Sequence, residues 1–209
     1  MSALTKLFQQ GKTIQFKKNY LFISPKKVPE GIYQITDGFI FSYSQSATKK
    51  RIQTILKKGD IFPLAWFMNN SSARKDMFVQ ALTDGKAQLI EKEIFLDCIN
   101  KSHIATLEIV DVLLMYLSVY VDRVENLEED TVRDKLITRL IYFANRFGIK
   151  DGQNILINIP ITHKLIAESI SVSRENVSRE LKALENEKVI AFKERQMVIL
   201  DIERLKEGL

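Results

Sequence analysis

The chain has 209 residues, of which 45% are apolar and 27% are charged, and its 31 Lys and Arg against 26 Asp and Glu give a net charge of +5. At roughly 100 to 200 residues per domain, this length predicts one large or two small domains, and the apolar fraction excludes a disordered chain. No apolar run approaches the ~18 residues of a membrane span and the start lacks an export signal, so we expect a cytoplasmic protein.

The cysteine and histidine content restricts the disulfides, metal sites and catalytic sites that this chain can form. The single cysteine, Cys98, cannot form an internal disulfide, and the two histidines, His103 and His163, lie far apart in the sequence. These residues exclude paired-cysteine zinc sites and iron–sulfur clusters held by this chain alone. The sequence also lacks glycine-rich nucleotide loops and an H-E-x-x-H motif. We therefore predict no catalytic residues, no metal and no cofactor, and a protein that is not an enzyme.

Residues 13 to 89 predict a β domain. Short apolar runs with two-residue alternation are separated there by turn residues, as in the run 32–35 before Thr36-Asp37-Gly38 and the run 52–56 before Lys57-Lys58-Gly59-Asp60. Such alternation is typical of half-buried strands, and frequent turn residues are typical of a small barrel or sandwich.

From about Ser102 the apolar residues follow a helical period. Six of them are spaced 3, 4, 3, 4 and 3 residues apart, which is the a/d seam of a heptad: Leu107, Val110, Leu114, Leu117, Val121 and Val124. Leu113, Tyr120 and Leu127 widen this stripe on one flank. The pattern has two interpretations, a helix packed entirely within its own domain or a helix that pairs with a second copy of the chain.

A second helix and a compact C-terminal unit follow. Thr131 and Asp134 have the spacing of a helix cap, and the second helix ends at Gly148. A loop over 150–154 and a strand over 155–159 come next. Thr162 then caps a helix over 163–169 and, after a tight turn, Ser173 caps a helix over 174–187. Segments 189–192 and 197–200 form a hairpin, so the unit is predicted to be a winged helix-turn-helix.

The helix after the tight turn carries the candidate functional residues. In a helix-turn-helix, the N-terminal residues of this helix lie nearest the base edges of the major groove. Arginine donates two hydrogen bonds to guanine and glutamate accepts one from cytosine. We predict base contacts by Arg174, Glu175, Ser178 and Arg179, and phosphate contacts by Thr162, Ser173, Lys164 and Lys182. The alternative is a surface helix with ordinary charge pairs, such as Glu175 with Arg179.

The run from Ile159 to Lys182 resembles the DNA-binding motif of the Crp/Fnr family of bacterial transcription regulators. Glu30-Gly31-Ile32-Tyr33, Thr36-Asp37-Gly38 and the segment 56–62 are similar to the barrel motifs of that family. The resemblance implies an α+β fold, with a cyclic-nucleotide-binding-like β-roll over 1–101, a long dimerisation helix over 102–130 and a winged helix-turn-helix over 131–209. Ser171 stands where the family usually has a turn glycine, which predicts a slightly strained turn.

The same resemblance implies a homodimer that binds a palindromic double-stranded DNA operator with half-sites similar to TGTGA. It favours the pairing interpretation of the heptad seam, and it implies RNA polymerase as a partner if the protein is an activator. In the alternative, a protein with the same fold does not bind DNA and acts as a small-molecule sensor through contacts with other proteins.

The region corresponding to the family's effector site departs from the cyclic-AMP pattern. Pro63-Leu64 replaces the Gly-Glu that holds the ribose, and Lys75 replaces the hydroxyl residue after the phosphate-binding arginine, here Arg74. Cyclic AMP is therefore not expected. The candidate effector pocket contains Leu64, Trp66, Arg74 and Lys75, for an apolar or anionic small molecule; the alternative is plain core and a solvated loop. The protein then senses another effector or acts without a ligand.

Positive charge is concentrated in the front domain. Residues 1–60 contain 11 basic and 3 acidic residues, a net charge of +8, whereas residues 148–209 contain 10 of each. We therefore expect moderate affinity from phosphate contacts, and specificity that depends on base contacts. The basic front domain either touches flanking DNA or is a solvated surface.

Overall fold

The computed structural model describes residues 2–47, 49–64, 77–194 and 196–208. The chain forms two compact units, Met1–Val119 and Tyr120–Leu209, and the division falls inside a long helix. We call them the N-terminal unit and the C-terminal unit.

The N-terminal unit contains two antiparallel sheets and three helical segments in its described residues. In chain order the elements are α1 (Ala3–Gln9), β1 (Lys12–Phe16), β2 (Leu21–Ile23), β3 (Ile32–Asp37), β4 (Ile40–Gln45), β5 (Lys50–Leu56), β6 (Ile61–Phe62), β7 (Met77–Ala81), β8 (Gly85–Ile90), α2 (Lys92–Lys101) and the first part of α3 (His103–Glu128). The strand orders are β1-β8-β3-β6 and β2-β7-β4-β5. The predicted β domain is confirmed, whereas the sequence analysis did not find α1 and α2.

Both sheets contribute to one apolar core. Phe16, Phe22, Tyr33 and Phe62 lie in it with ring centroids 5.1 to 5.3 Å apart. Burial raises the pKa of the Tyr33 hydroxyl to about 12. Successive side chains of a strand point to opposite faces of the sheet, so each strand presents every second residue to this core. The alternation of apolar residues in the sequence therefore indicates which face of each strand is buried.

The helices of the N-terminal unit form a second apolar cluster. Phe8 of α1 and Phe95 of α2 pack with ring centroids 5.9 Å apart, next to Ala105 and Ile109 of α3. The carboxylate of Glu108 on α3 accepts hydrogen bonds from the backbone N–H groups of Ala3 and Leu4 and from the hydroxyl of Ser2, at 2.8 to 2.9 Å. One side of α3 is thus held by α1.

The C-terminal unit contains the end of α3 and a winged helix-turn-helix. Its further elements are α4 (Val132–Phe147), β9 (Gly148–Asp151), β10 (Asn154–Ile157), α5 (His163–Ile170), α6 (Arg174–Asn186), β11 (Ile190–Lys193), β12 (Gln196–Ile199) and α7 (Ile202–Glu207), with the antiparallel strand order β11-β12-β10-β9. The predicted caps are confirmed: the hydroxyls of Thr131, Thr162 and Ser173 accept from backbone N–H groups at 3.1 to 3.2 Å.

One segment differs from the sequence prediction. Lys150 and Asp151, expected in a loop, belong to β9, because β9 and β10 form a hairpin in which Asp151 is opposite Asn154 and Lys150 is opposite Ile155. The turn is made by Gly152, whose φ of +62° suits glycine. The loop is therefore a tight turn within a sheet.

Helix α4 is the centre of the C-terminal core. Leu136, Ile137, Leu140 and Phe143 have no exposed surface, and α4 packs against α5, α6, α7 and β10. By contrast, α3 is long and apolar enough to cross a membrane by length and composition alone, and only 17% of the residues in its apolar 18-residue stretch are buried. Glu108 and Ile109 nonetheless attach one side of this helix to the N-terminal unit.

Candidate nucleic-acid interface

The turn between α5 and α6 sets the geometry of the helix-turn-helix. Ser171 ends α5 in the left-handed conformation, with φ 60° and ψ 33°. The backbone N–H of Val172 donates to the carbonyl of Ala167 at 3.1 Å, and the hydroxyl of Ser173 then caps α6. Left-handed backbone is unfavourable for a residue with a Cβ, so the predicted strain at Ser171 is confirmed.

Helix α6 has a fully buried side and a free polar side. Val177, Leu181 and Leu184 are at most 1% exposed, as the spacing predicts. Arg174, Glu175 and Arg179 are exposed, and their side chains make no ion pair or hydrogen bond within the described residues. The side chains predicted to contact bases at these positions are therefore available to an external partner.

Ser178 is placed differently from the other three candidates. It is half-buried, and its hydroxyl lies 2.7 Å from Nδ1 of His163 on α5. The His163 ring also packs near Phe192 of β11, with centroids 6.0 Å apart. Ser178 thus links the two helices, and its remaining hydrogen-bonding capacity depends on the tautomer of His163. The sequence analysis missed this pair because the residues are distant in sequence.

Three of the phosphate candidates, Thr162, Lys164 and Ser173, lie at helix N-termini, whereas Lys182 lies in the second half of α6. Thr162 and Ser173 are exposed, each hydroxyl accepts from a backbone N–H, and no described residue accepts the proton of either hydroxyl. Lys182 is exposed, and Lys164 is 75% exposed, with a weak contact of 3.9 Å to Glu168. Positive helix termini and free donors of this kind suit phosphate oxygens.

An ion pair attaches α6 to α4, and hydrogen bonds attach α5 to α3 and α4. Arg133 donates from Nη1 and Nη2 to the Glu187 carboxylate at 3.1 and 2.7 Å. The hydrogen-bonded ion pair raises the pKa of Arg133 and lowers the pKa of Glu187. On α5, Ser169 receives two hydrogen bonds, from Arg123 Nη1 to its carbonyl and from Arg139 Nε to its hydroxyl. The Arg133–Glu187 pair therefore holds the C-terminal end of α6 against α4, and the two bonds to Ser169 hold the end of α5 against α3 and α4.

The predicted seam of α3 lies on an exposed apolar stripe. The exposed fractions are Leu107 51%, Val110 43%, Leu114 57%, Leu117 59%, Val121 47% and Val124 53%. The flanking Leu113, Tyr120 and Leu127 are also exposed, at 49%, 46% and 38%. The interpretation that this stripe is wholly packed within its own domain is therefore wrong. Exposed apolar patches of this kind mark sites of contact with proteins, membranes or ligands.

The candidate effector pocket is described only in part. Leu64 is half-buried against the helical cluster of the N-terminal unit, whereas Trp66, Arg74 and Lys75 lie outside the described residues. Ser42 on β4 lies opposite Thr54 on β5, and both hydroxyls are buried without a hydrogen-bond partner in the described part of the chain. They share a strand face with Ile40 and Leu56, which lie in the core between the sheets.

Comparisons with known proteins agree with this architecture. Residues 134–207 match the model of the Crp-like helix-turn-helix domain. The chain is 25% identical over 199 residues to the Global nitrogen regulator of Synechococcus elongatus, covering 93% of this chain and 84% of that protein.

Solved structures show the same fold. A mutant of CooA from Carboxydothermus hydrogenoformans superposes with a TM-score of 0.79 at 20% identity, over 97% of this chain and 89% of that chain. FixK2 from Bradyrhizobium japonicum superposes with a TM-score of 0.80 at 18% identity, over 94% and 96%. Residues 134–207 therefore form a Crp-like helix-turn-helix domain, and the chain as a whole shares the fold of these solved structures.

Proposed function

We propose that the protein is a cytoplasmic, homodimeric regulator of transcription that binds a palindromic operator sequence-specifically. The observation that carries this proposal is the free polar side of α6, where Arg174, Glu175 and Arg179 are exposed and unpaired within the described residues. A helix with its apolar side locked in a core and its charged side unused is suited to the major groove.

The base contacts follow from the chemistry of these side chains. Arg174 and Arg179 each offer a guanidinium fork for guanine O6 and N7, and Glu175 offers an acceptor for cytosine N4. Ser178 contacts a base through the hydrogen bond that its hydroxyl can still form beside the one to His163. Thr162, Ser173, Lys164 and Lys182 contact phosphates and set the register of the helix on the duplex.

The exposed stripe of α3 supports the homodimer. Two copies that pair along this seam bury apolar side chains which the monomer leaves about half exposed. A twofold axis then relates two copies of α6, so the operator has matching twofold symmetry. Half-sites about 34 to 36 Å apart allow both recognition helices to bind at once.

The sensor function belongs to residues 1–101, with 102–130 as the dimerisation helix and 131–209 as the DNA-binding domain. The buried, unpartnered hydroxyls of Ser42 and Thr54 support an effector that supplies polar atoms between the sheets. The residues that the sequence predicts for the effector pocket stay Leu64, Trp66, Arg74 and Lys75, of which only Leu64 is among the described residues. The effector differs from cyclic AMP, because Leu64 has no acceptor for a ribose hydroxyl; without an effector, the protein acts constitutively. As an activator it contacts RNA polymerase.

Selection of bound duplexes from a random pool tests the DNA-binding proposal. The full chain is expected to enrich a palindrome, and Arg174→Ala to lose about 1 to 3 kcal/mol at one position of each half-site. The matched variant Lys182→Ala is expected to weaken binding to all sequences equally and to reduce the salt dependence by about one charge. An equal loss on all sequences for Arg174→Ala contradicts the base contact. A pool without enrichment contradicts DNA binding and favours a sensor that acts through proteins.

A further inference from the structure

The side chains of His163 on α5 and Ser178 on α6 join the two helices of the helix-turn-helix. Nδ1 of the imidazole lies 2.7 Å from the hydroxyl oxygen of Ser178. Both residues are half-buried, and the ring of Phe192 on β11 lies on one side of the imidazole, with centroids 6.0 Å apart. The protonation of the His163 ring therefore acts directly on Ser178, a residue proposed to contact a base.

The charged residues around this pair do not hydrogen-bond to the imidazole. Those next to the pair in sequence or about one helical turn away are Lys164 and Glu168 on α5, Arg174, Glu175, Arg179 and Lys182 on α6, and Lys193 on β11. No ion pair or hydrogen bond links any of them to the His163 ring. Within the described residues, the hydroxyl of Ser178 is thus the one hydrogen-bond partner of this ring.

The direction of this hydrogen bond decides what Ser178 can do at a base edge. A serine hydroxyl has one proton and two lone pairs. If Ser178 donates to Nδ1, its oxygen can only accept, which suits the amino group of adenine N6 or cytosine N4. If Nδ1–H donates to Ser178 instead, the hydroxyl proton is free for an acceptor such as guanine N7 or thymine O4. The proton on Nδ1 therefore selects between two pairs of bases.

Two observations indicate that Ser178 is the donor when the ring is neutral. Hydroxyl donors form bonds of about 2.7 to 2.8 Å, whereas N–H donors to oxygen form bonds of about 2.9 to 3.0 Å. The distance of 2.7 Å therefore fits a hydroxyl donor.

The second observation is the environment of Nε2. This nitrogen forms no hydrogen bond with a described residue and is not one of the buried atoms that lack a partner, so it retains accessible surface. His163 is the first residue of α5, between the phosphate candidates Thr162 and Lys164. Phosphate oxygens only accept, so a neutral ring that contacts a phosphate has its proton on Nε2 and a lone pair on Nδ1.

We propose that His163 is a positioning residue that sets the base preference of Ser178. The neutral ring accepts from Ser178 and directs its oxygen to adenine or cytosine, whereas the protonated ring donates to Ser178 and directs its proton to guanine or thymine. Histidine gains its second N–H between about pH 8 and pH 5, so the preference at one position of each half-site reverses over this range. This base preference rests on the proposed DNA-binding function, whereas the direction of the hydrogen bond is a property of the free chain.

Nitrogen-15 NMR of the imidazoles in the full, labelled chain tests the direction of the bond without DNA. A nitrogen that carries a proton and one that carries a lone pair have well-separated shifts, and His163→Phe distinguishes the signals of His163 from those of His103. At pH 8 we expect an unprotonated Nδ1 whose shift changes in Ser178→Ala and is restored in Ser178→Thr. A protonated Nδ1 at pH 8, or a shift that Ser178→Ala leaves unchanged, overturns the proposal.

Selection of bound duplexes at pH 8 and pH 5.5 tests the base preference. At one position of each half-site, the full chain is expected to enrich adenine or cytosine at pH 8 and to favour guanine or thymine by about 3- to 10-fold at pH 5.5. Ser178→Ala and His163→Phe are expected to lose this reversal, and Ser178→Thr is expected to keep it. The position that Arg174 contacts is the internal control, because arginine stays charged at both pH values.

The outcomes separate this inference from the DNA-binding function. A palindrome that is enriched at both pH values without a reversal, or a reversal that persists in Ser178→Ala, contradicts the role of His163 alone. A pool without an enriched palindrome contradicts the DNA-binding function, and with it the base preference. The NMR measurement still decides the direction of the His163–Ser178 bond in that case.

Discussion

Helices α3 and α4 both have apolar faces with helical spacing, yet their burial is opposite. On α4, Leu136 and Leu140 have no exposed surface, whereas on α3 Leu114 and Leu117 are 57% and 59% exposed. The two helices differ in their packing partners. Helix α4 is surrounded by α5, α6, α7 and β10 of its own unit. The α3 stripe meets no comparable set of described residues. Periodicity thus identifies an apolar face, but not the partner that covers it.

The largest effect is expected from a charge on the α3 stripe. Leu117→Glu is expected to abolish the dimer, since it places a carboxylate in the proposed seam. Loss of two-site binding then lowers operator affinity by about 10²- to 10⁴-fold. Analytical ultracentrifugation and operator titration measure the two effects. Val28→Glu, at a residue that is 70% exposed away from the stripe, is the control. An unchanged dimer in Leu117→Glu would place the interface elsewhere.

The same Leu→Ala truncation on α4 and on α3 compares the two helices directly. Leu140→Ala is expected to cost about 2 to 5 kcal/mol of unfolding free energy, independent of protein concentration, because it leaves a cavity in the core of the C-terminal unit. The loss in Leu117→Ala is expected to depend on protein concentration, because it acts through association. Urea unfolding at several concentrations distinguishes them. A concentration-independent loss in both variants would mean that the stripe is covered within one chain.

The opposite side of α3 gives a smaller, pH-dependent effect. Burial raises the pKa of Glu108, but hydrogen bonds from Leu4, Ser2 and Ala3 outweigh it, and the net pKa is lowered. The stabilisation is therefore fully present above the unfolded carboxyl pKa, about 4.3, and is lost as pH falls through the lower folded value. Glu108→Gln is expected to cost about 1 to 2 kcal/mol at pH 7 and little at low pH. Unfolding free energies across pH 2 to 7 measure this; a constant difference contradicts the carboxylate's role.

The smallest effects on stability are expected from two Ser→Gly changes, and the two effects are expected to have opposite signs. Ser171→Gly is expected to stabilise the C-terminal unit by up to about 1 kcal/mol, since glycine adopts the left-handed turn without strain. Ser118→Gly, at an exposed interior position of α3, is expected to destabilise by about 0.5 to 1 kcal/mol. Thermal unfolding compares the signs. Destabilisation in both variants would mean that the Ser171 hydroxyl contributes more than its backbone strain costs.

Local signals were the most predictable part of this molecule. The caps Thr131, Thr162 and Ser173 and the buried residues of α6 follow from short-range spacing, and the structure confirms them. The short helix α1 was missed because it is stabilised by a distant carboxylate, Glu108. The strand β9 was missed because its pairing with β10 outweighs the turn composition of that segment.

The amino-acid sequence by itself determined the N-terminal β domain, the winged helix-turn-helix and the exposed guanidinium and carboxylate groups at the start of α6. These depend on local spacing and on capping, which act within a few residues. Only the tertiary structure decided that the α3 stripe stays exposed, that Ser178 bonds to His163 and that the buried Arg139 donates to Ser169. Burial and hydrogen-bond pairing depend on residues far apart in the chain, which meet only when the helices pack.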